Sequence, residues 1–129
     1  HFGEFSRLIN LEAKDIISDF PRIMENTMKI FDQTLLIKQI PICTLKNNEA
    51  VVNISGNPGL AVAGTGDILS GVIASFLAHG LNSLDAATLG AFIQGKSSDE
   101  LLSLKGYRGQ IASDLLTIIP NVISKYELL

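Results

Sequence analysis

The segment spanning residues 56–71, GNPGLAVAGTGDILSG, constrains this chain more than any other. Gly56, Gly59, Gly64, Gly66 and Gly71 crowd around Pro58 and lead straight into an apolar run. Glycine has no Cβ, so such a segment can take positive φ and let a ligand approach its backbone closely. Beyond Asp67, the residues Ile68, Leu69, Val72, Ile73, Phe76 and Leu77 recur at helical spacing and stop at Gly80, a favoured residue just past a helix end. A glycine turn that opens a helix presents unbonded first-turn N–H groups and the positive end of the dipole, and both attract an anion such as phosphate. The pattern is not the dinucleotide fingerprint, because Leu69 stands where the third glycine of GxGxxG belongs, nor a P-loop, because no Gly-Lys-Ser/Thr follows. Asp67 is the informative departure. A carboxylate beside a phosphate site repels the ligand unless it accepts a proton or holds a metal. Spacing alone leaves open that Asp67 serves the helix N-terminus and that the glycines serve tight helix-to-sheet packing.

Composition narrows the setting. The chain has 129 residues, 47% of them hydrophobic and 18% charged, which is enough apolar material for a packed core. A net charge of −3 without a Lys/Arg stripe argues against nucleic acid as the partner. Cys43 is the only cysteine and sits in an apolar run, so a buried reduced thiol and a cytoplasmic setting are expected. The longest apolar stretch, residues 68–81, is interrupted by Ser70, Gly71, Ser75, His79 and Gly80, so no membrane span is expected.

The remaining elements read as α/β layers. Ser18 or Asp19 caps a helix carrying Pro21 in its first turn and Ile23, Met24, Met28, Ile30 and Phe31 on its apolar positions. Residues 34–38, TLLIK, suit a strand buried on both faces of a parallel sheet. Residues 42–45 and 50–54 flank Asn47-Asn48 as a hairpin, because asparagine tolerates positive φ. A helix is expected from Ser83 with Asp85 in its first turn, and another from about Ile111 in which Pro120 kinks or divides the helix.

Three segments together, HFGEF at residues 1–5, GNPGLAVAGTGDILSG at 56–71 and ASDLL with Ile119-Pro120 near the end, resemble the NAD(P)H-hydrate dehydratase family of the ribokinase-like superfamily. The matches run in order across almost the whole chain. The resemblance implies a ribokinase-like three-layer α/β sandwich, of which residues 1–129 would be the C-terminal half, a mostly parallel sheet flanked by helices. It implies dehydration of hydrated NADH or NADPH at the expense of ADP or ATP, with Mg2+ expected; ADP is favoured over ATP. Asp67 would take the proton from the substrate hydroxyl as it attacks the terminal phosphate. Gly64, Thr65 and Gly66 would cradle the phosphate, with Asn57 and Lys38 also on the nucleotide side. His1, Gly3 and Glu4, from the HxGE motif, would contact the hydrate together with Asp67. No metal ligands are assigned.

In the family the stretch after the buried strand runs Lys-Gly, small residues and a threonine. Here Lys38 matches, but Gln39 replaces the glycine and Ile42 the threonine. For His79, complementing the helix C-terminus is the expected role; for Asn53, local turn bonding stands beside its family position; for Asp99 and Asp114, helix capping is expected. The resemblance further implies a homo-oligomer, an epimerase domain fused upstream, and no turnover of hydrated NADH by the 129-residue chain alone. Two rival readings share the glycine loop. One is a ribokinase-like small-molecule kinase; the other is a non-catalytic nucleotide-binding paralogue, to which the altered stretch at residues 38–42 lends support.

Overall fold

A computed structural model describes residues 1–127 and divides into two compact units, His1–Asn53 and Ile54–Leu129. The first unit opens with three helices, α1 (Phe2–Ile9), α2 (Ala13–Ser18) and α3 (Phe20–Ile30). Pro21 lies in the first turn of α3, where its missing N–H is no loss. Three strands follow, β1 (Leu35–Ile37), β2 (Ile42–Lys46) and β3 (Glu49–Asn53), in the order β1-β2-β3. The β2–β3 hairpin closes on the pair Lys46–Glu49, and both residues of its turn, Asn47 (φ 47°) and Asn48 (φ 64°), adopt the left-handed conformation the sequence anticipates.

The pairing of β1 corrects one expectation. It joins β2 antiparallel, Leu35 opposite Leu45 and Ile37 opposite Cys43, and no parallel ladder forms among the described residues. The reason is the length of the connection. Residues 38–41 cannot supply the crossover of about a dozen residues that a parallel neighbour requires. Phe5, Ile16, Met24, Ile37 and Leu45 form the buried core of this unit, so all three helices and two strands meet there. Cys43 is a buried free thiol, as expected, and burial raises its pKa against the opposing hydrogen bond from Gln39.

In the second unit a short 3-10 turn (Pro58–Leu60) precedes three helices, α4 (Thr65–Ala78), α5 (Ser83–Lys105) and α6 (Ala112–Ser124). Its core joins Ile93 and Leu101 of α5 to Leu115, Ile119 and Val122 of α6, with Ile68, Val72 and Phe76 of α4 packed against them. The helix ends follow the sequence closely. Gly80 (φ +93°) takes the left-handed position past α4, and the His79 ring bonds the Ser75 carbonyl at 2.8 Å, which serves the helix C-terminus. Asn82 caps α5 by accepting from Leu84 and Asp85. The Asp114 carboxylate accepts the Ile111 N–H at 2.9 Å, the capping role expected of it. Pro120 neither divides nor ends α6, which runs on to Ser124.

α5 is the spine of this unit, with buried residues on several faces. Two of its glycines are there because nothing larger fits. A Cβ on Gly90 would stand 2.6 Å from the Ile73 side chain of α4, and one on Gly95 would strike Ser55. Among the described residues no helix is long and apolar enough to cross a membrane.

Candidate functional site

The glycine segment lies wholly in the second unit, and its geometry follows from how little of it is regular. Gly56 (φ +102°) and Gly64 (φ +90°) both occupy the region that L side chains rarely adopt. Between them Asn57 caps the 3-10 turn, its Oδ1 accepting the Gly59 N–H at 2.9 Å. Gly64 is the N-cap of α4 and has no side chain to satisfy the first turn. The N–H groups of Gly64, Gly66 and Asp67 consequently have no intramolecular acceptor among the described residues, while that of Thr65 makes a long 3.4 Å bond to Val62. Open amides at the positive end of a fourteen-residue helix are what an anion requires.

Asp67 is the third residue of α4. Its carboxylate is exposed and makes no hydrogen bond or ion pair among the described residues, so it does not cap the helix. It stands at the rim of an open groove of about 440 Å³ lined by Ile68, Gly71 and Val72 of α4 and Leu116, Ile119 and Pro120 of α6. The groove is almost entirely apolar apart from this carboxylate. Thr65 faces the other way, donating its hydroxyl to the carbonyls of Leu60 and Val62 at 2.9 Å each.

A buried polar layer supports the loop, and sequence reasoning missed it. Gln94 on α5, 4% exposed, donates Nε2 to the Thr65 carbonyl at 2.6 Å. Asp99, also on α5, accepts the Gly56 N–H and the Asn57 side-chain amide, each at 3.1 Å. Gln110, 4% exposed, accepts from Ser98 at 2.7 Å and donates to Asn57 Oδ1 at 3.3 Å, and it fills the space where a Cβ on Gly59 would lie. The capping role expected of Asp99 is therefore overturned: it sits in mid-helix and bonds residues more than forty positions away. Nothing in the local sequence signals it, because Lys96, Ser97, Ser98 and Glu100 around it are polar as well.

The other named residues lie in the first unit. His1 is the N-cap of α1, its Nδ1 accepting from Gly3 N at 3.0 Å and Glu4 N at 3.3 Å. An imidazole nitrogen that accepts carries no proton, so the neutral ring keeps its hydrogen on Nε2. A Cβ on Gly3 would lie 3.1 Å from the ring, which is why this position suits glycine. Glu4 completes the capping box through the amino nitrogen of His1. Lys38 follows β1, exposed and without an ion pair among the described residues. Among the described residues no three His, Cys, Asp or Glu side chains cluster in a way that could hold a metal.

Three kinds of likeness bear on this arrangement. The sequence profile of the family described as NAD(P)H-hydrate dehydratase matches residues 1–121. The bifunctional NAD(P)H-hydrate repair enzyme Nnr of Moorella thermoacetica is 35% identical over 128 residues, covering 98% of this chain and 24% of that protein. Its Escherichia coli counterpart is 30% identical over 125 residues, 96% of this chain and 24% of that protein. The chain thus spans about a quarter of the length of these relatives. Among solved structures, the ADP/ATP-dependent NAD(P)H-hydrate dehydratase of Bacillus subtilis, co-crystallised with ATP and Mg2+, matches with a TM-score of 0.91 at 20% identity, covering 98% of this chain and 46% of that one. The fold is thereby the ribokinase-like α/β fold implied by the sequence, and the order of motifs, the glycine-opened helix and the profile match agree: the chain belongs to the NAD(P)H-hydrate dehydratase family.

Proposed function

We propose that this chain contributes the phosphoryl-transfer side of a nucleotide-dependent NAD(P)H-hydrate dehydratase. The observation that carries the reading is the pairing, at one helix start, of unbonded amides on Gly64, Gly66 and Asp67 with the unpartnered Asp67 carboxylate at the groove rim. The hydroxyl of the hydrated nicotinamide attacks the terminal phosphorus of ATP or ADP. Asp67 accepts the hydroxyl proton, and the oxygen–phosphorus bond to the nucleotide breaks, leaving ADP or AMP. The phosphorylated hydrate then loses phosphate and a proton from the adjacent ring carbon, the C–O and C–H bonds breaking as the ring double bond returns. The amides of Gly64, Gly66 and Asp67 stabilise the charge that gathers on the transferred group. The groove between α4 and α6 is of the size that takes one small planar ring.

The remaining assignments follow from what each side chain has left to offer. His1 offers Nε2–H to the hydrate, with Gly3 allowing the ring its position and Glu4 fixing the turn. Lys38 offers an unpaired ammonium to a nucleotide phosphate. Mg2+, where it accompanies the nucleotide, commonly binds through the phosphates with one or two carboxylates. Both ADP and ATP fit this chemistry, and the Bacillus subtilis dehydratase is itself ADP/ATP-dependent.

A chimaera tests the reading. Residues 1–129 replace the matching segment of the Bacillus subtilis dehydratase, and hydrated NADH is supplied with ATP or ADP and Mg2+. Recovery of reduced-nicotinamide absorbance, abolished by Asp67→Asn, is the expected result. A stable phosphorylated product without recovery would identify a kinase instead, and nucleotide binding with no turnover of either kind would identify a non-catalytic paralogue.

A further inference from the structure

We infer that Asp99 and Asn57 form a positioning pair that sets the shape of the glycine segment and so delivers the open amides of Gly64, Gly66 and Asp67. The inference rests on the dehydratase reading only for what those amides bind.

Asp99 is a charged residue on a mostly buried stretch of α5, with no cation as partner among the described residues. Its two oxygens are directed onto one short piece of backbone, Oδ2 accepting from Gly56 N and Oδ1 from Asn57 Nδ2 at 3.1 Å each. Gly56, at φ +102°, lies outside any ladder that could take its N–H, and a charged acceptor fills that need. Asn57 is fixed in one orientation by the same contact. Its nitrogen gives to the carboxylate, so its oxygen must face Gly59 N (2.9 Å) and Gln110 Nε2 (3.3 Å), and reversing the amide would set donors against donors at both places.

The effect reaches the helix start through a continuous series of bonds. The Asn57 cap forms the turn Pro58–Leu60, the Leu60 carbonyl receives the Thr65 hydroxyl at 2.9 Å, and the Thr65 carbonyl receives Gln94 at 2.6 Å. Gln94 and Asp99 belong to the same helix, so α5 holds the segment at both of its ends. Gly59 has no room for a side chain because Gln110 lies beneath it, which ties the middle as well.

The pair can be reversed chemically. In Asp99→Asn the new amide must set its nitrogen against either Gly56 N–H or the Asn57 amide. In Asn57→Asp two carboxylates face each other. In the double variant the new amide at position 99 accepts from Gly56 and donates to the new carboxylate at 57, whose second oxygen keeps Gly59 and Gln110, with formal charge unchanged. The experiment records backbone amide NMR shifts of the full chain without nucleotide, then ATP·Mg2+ affinity, across this double-mutant cycle. Each single change should shift the amides of Gly64, Gly66 and Asp67 and weaken ATP binding by about tenfold, as loss of a charged hydrogen bond does. The double variant should return both readouts towards wild type. Amides at 64–67 that do not move in Asp99→Asn, or that stay displaced in the double variant, overturn the inference. A single variant that fails to fold leaves the double to decide: wild-type amide shifts support the pair, and failure to fold overturns it. Restored amides with affinity still lost would make Asn57 a direct ligand and overturn its assignment to positioning. Wild-type chain that binds no ATP, with amides responding as expected, refutes the nucleotide reading and supports the pair.

Discussion

At the scale of single residues, the proposed reading gives Asp67 the chemistry and the glycines the shape. Replacing Asp67 by Asn in the active chimaera should lower turnover by roughly 10²–10⁴ while leaving nucleotide affinity intact or improved, since a charge facing phosphate is removed. Measured turnover within a few-fold of wild type would dismiss Asp67 as the base. The glycines separate by what surrounds them. Gly95→Ala would drive a methyl into the Ser55 backbone, whose carbonyl carbon stands 2.7 Å from the added atom, and should destabilise the fold by about 1–3 kcal/mol in urea titration. Gly71→Ala meets nothing within 4 Å and lies inside α4, so it should stabilise by roughly 0.5–1 kcal/mol. Opposite signs for two glycines that both lie inside helices, α4 and α5, would be hard to obtain from propensity alone.

At the scale of elements, helix ends carry much of the specification and were largely legible. Asn47 and Asn48 announce the hairpin, Gly80 the end of α4, and Ser83 with Asp85 the start of α5, whereas the Asn82 cap emerges only in the structure. Asn82→Ala should cost about 1 kcal/mol, read from the urea midpoint, since its Oδ1 satisfies two first-turn donors. The cap of α1 went unread because histidine is an unusual one and its role shows only when Gly3 and Glu4 are seen to fold onto it. The start of α6 adds a pH dependence. The Lys105 hydrogen bond, then the Ile111 N–H, hold the Asp114 carboxyl below its ordinary range. A lowered folded-state pKa means that the stabilisation is complete above the ordinary aspartate value and is lost as pH falls through the lowered one. Denaturant midpoints of wild type and Asp114→Asn should therefore converge on acidification below about pH 4, and a constant gap down to strong acid would contradict this.

At the scale of the whole molecule, the family and the glycine-opened helix were readable because the motifs are contiguous in sequence, whereas the polar layer beneath them was not. Asp99, Gln94 and Gln110 reach residues 29 to 53 positions away, and no local pattern encodes a bond of that span. β1 was misjudged for a related reason: an apolar run describes burial, while the partner is chosen by the length of the connection. The seat of Ile73 against Gly90 has a thermodynamic consequence. A branched side chain lodged where a neighbouring helix offers only a hydrogen keeps α4 from sliding along α5. On the proposed reading, a phosphate would meet amides already in place, and little ordering would accompany its capture. Calorimetry of ATP uptake should accordingly show a small heat-capacity change from this helix pair, and Gly90→Ala, by lifting α4 off its seat, should make the same binding event pay in entropy for an order the wild-type chain already has.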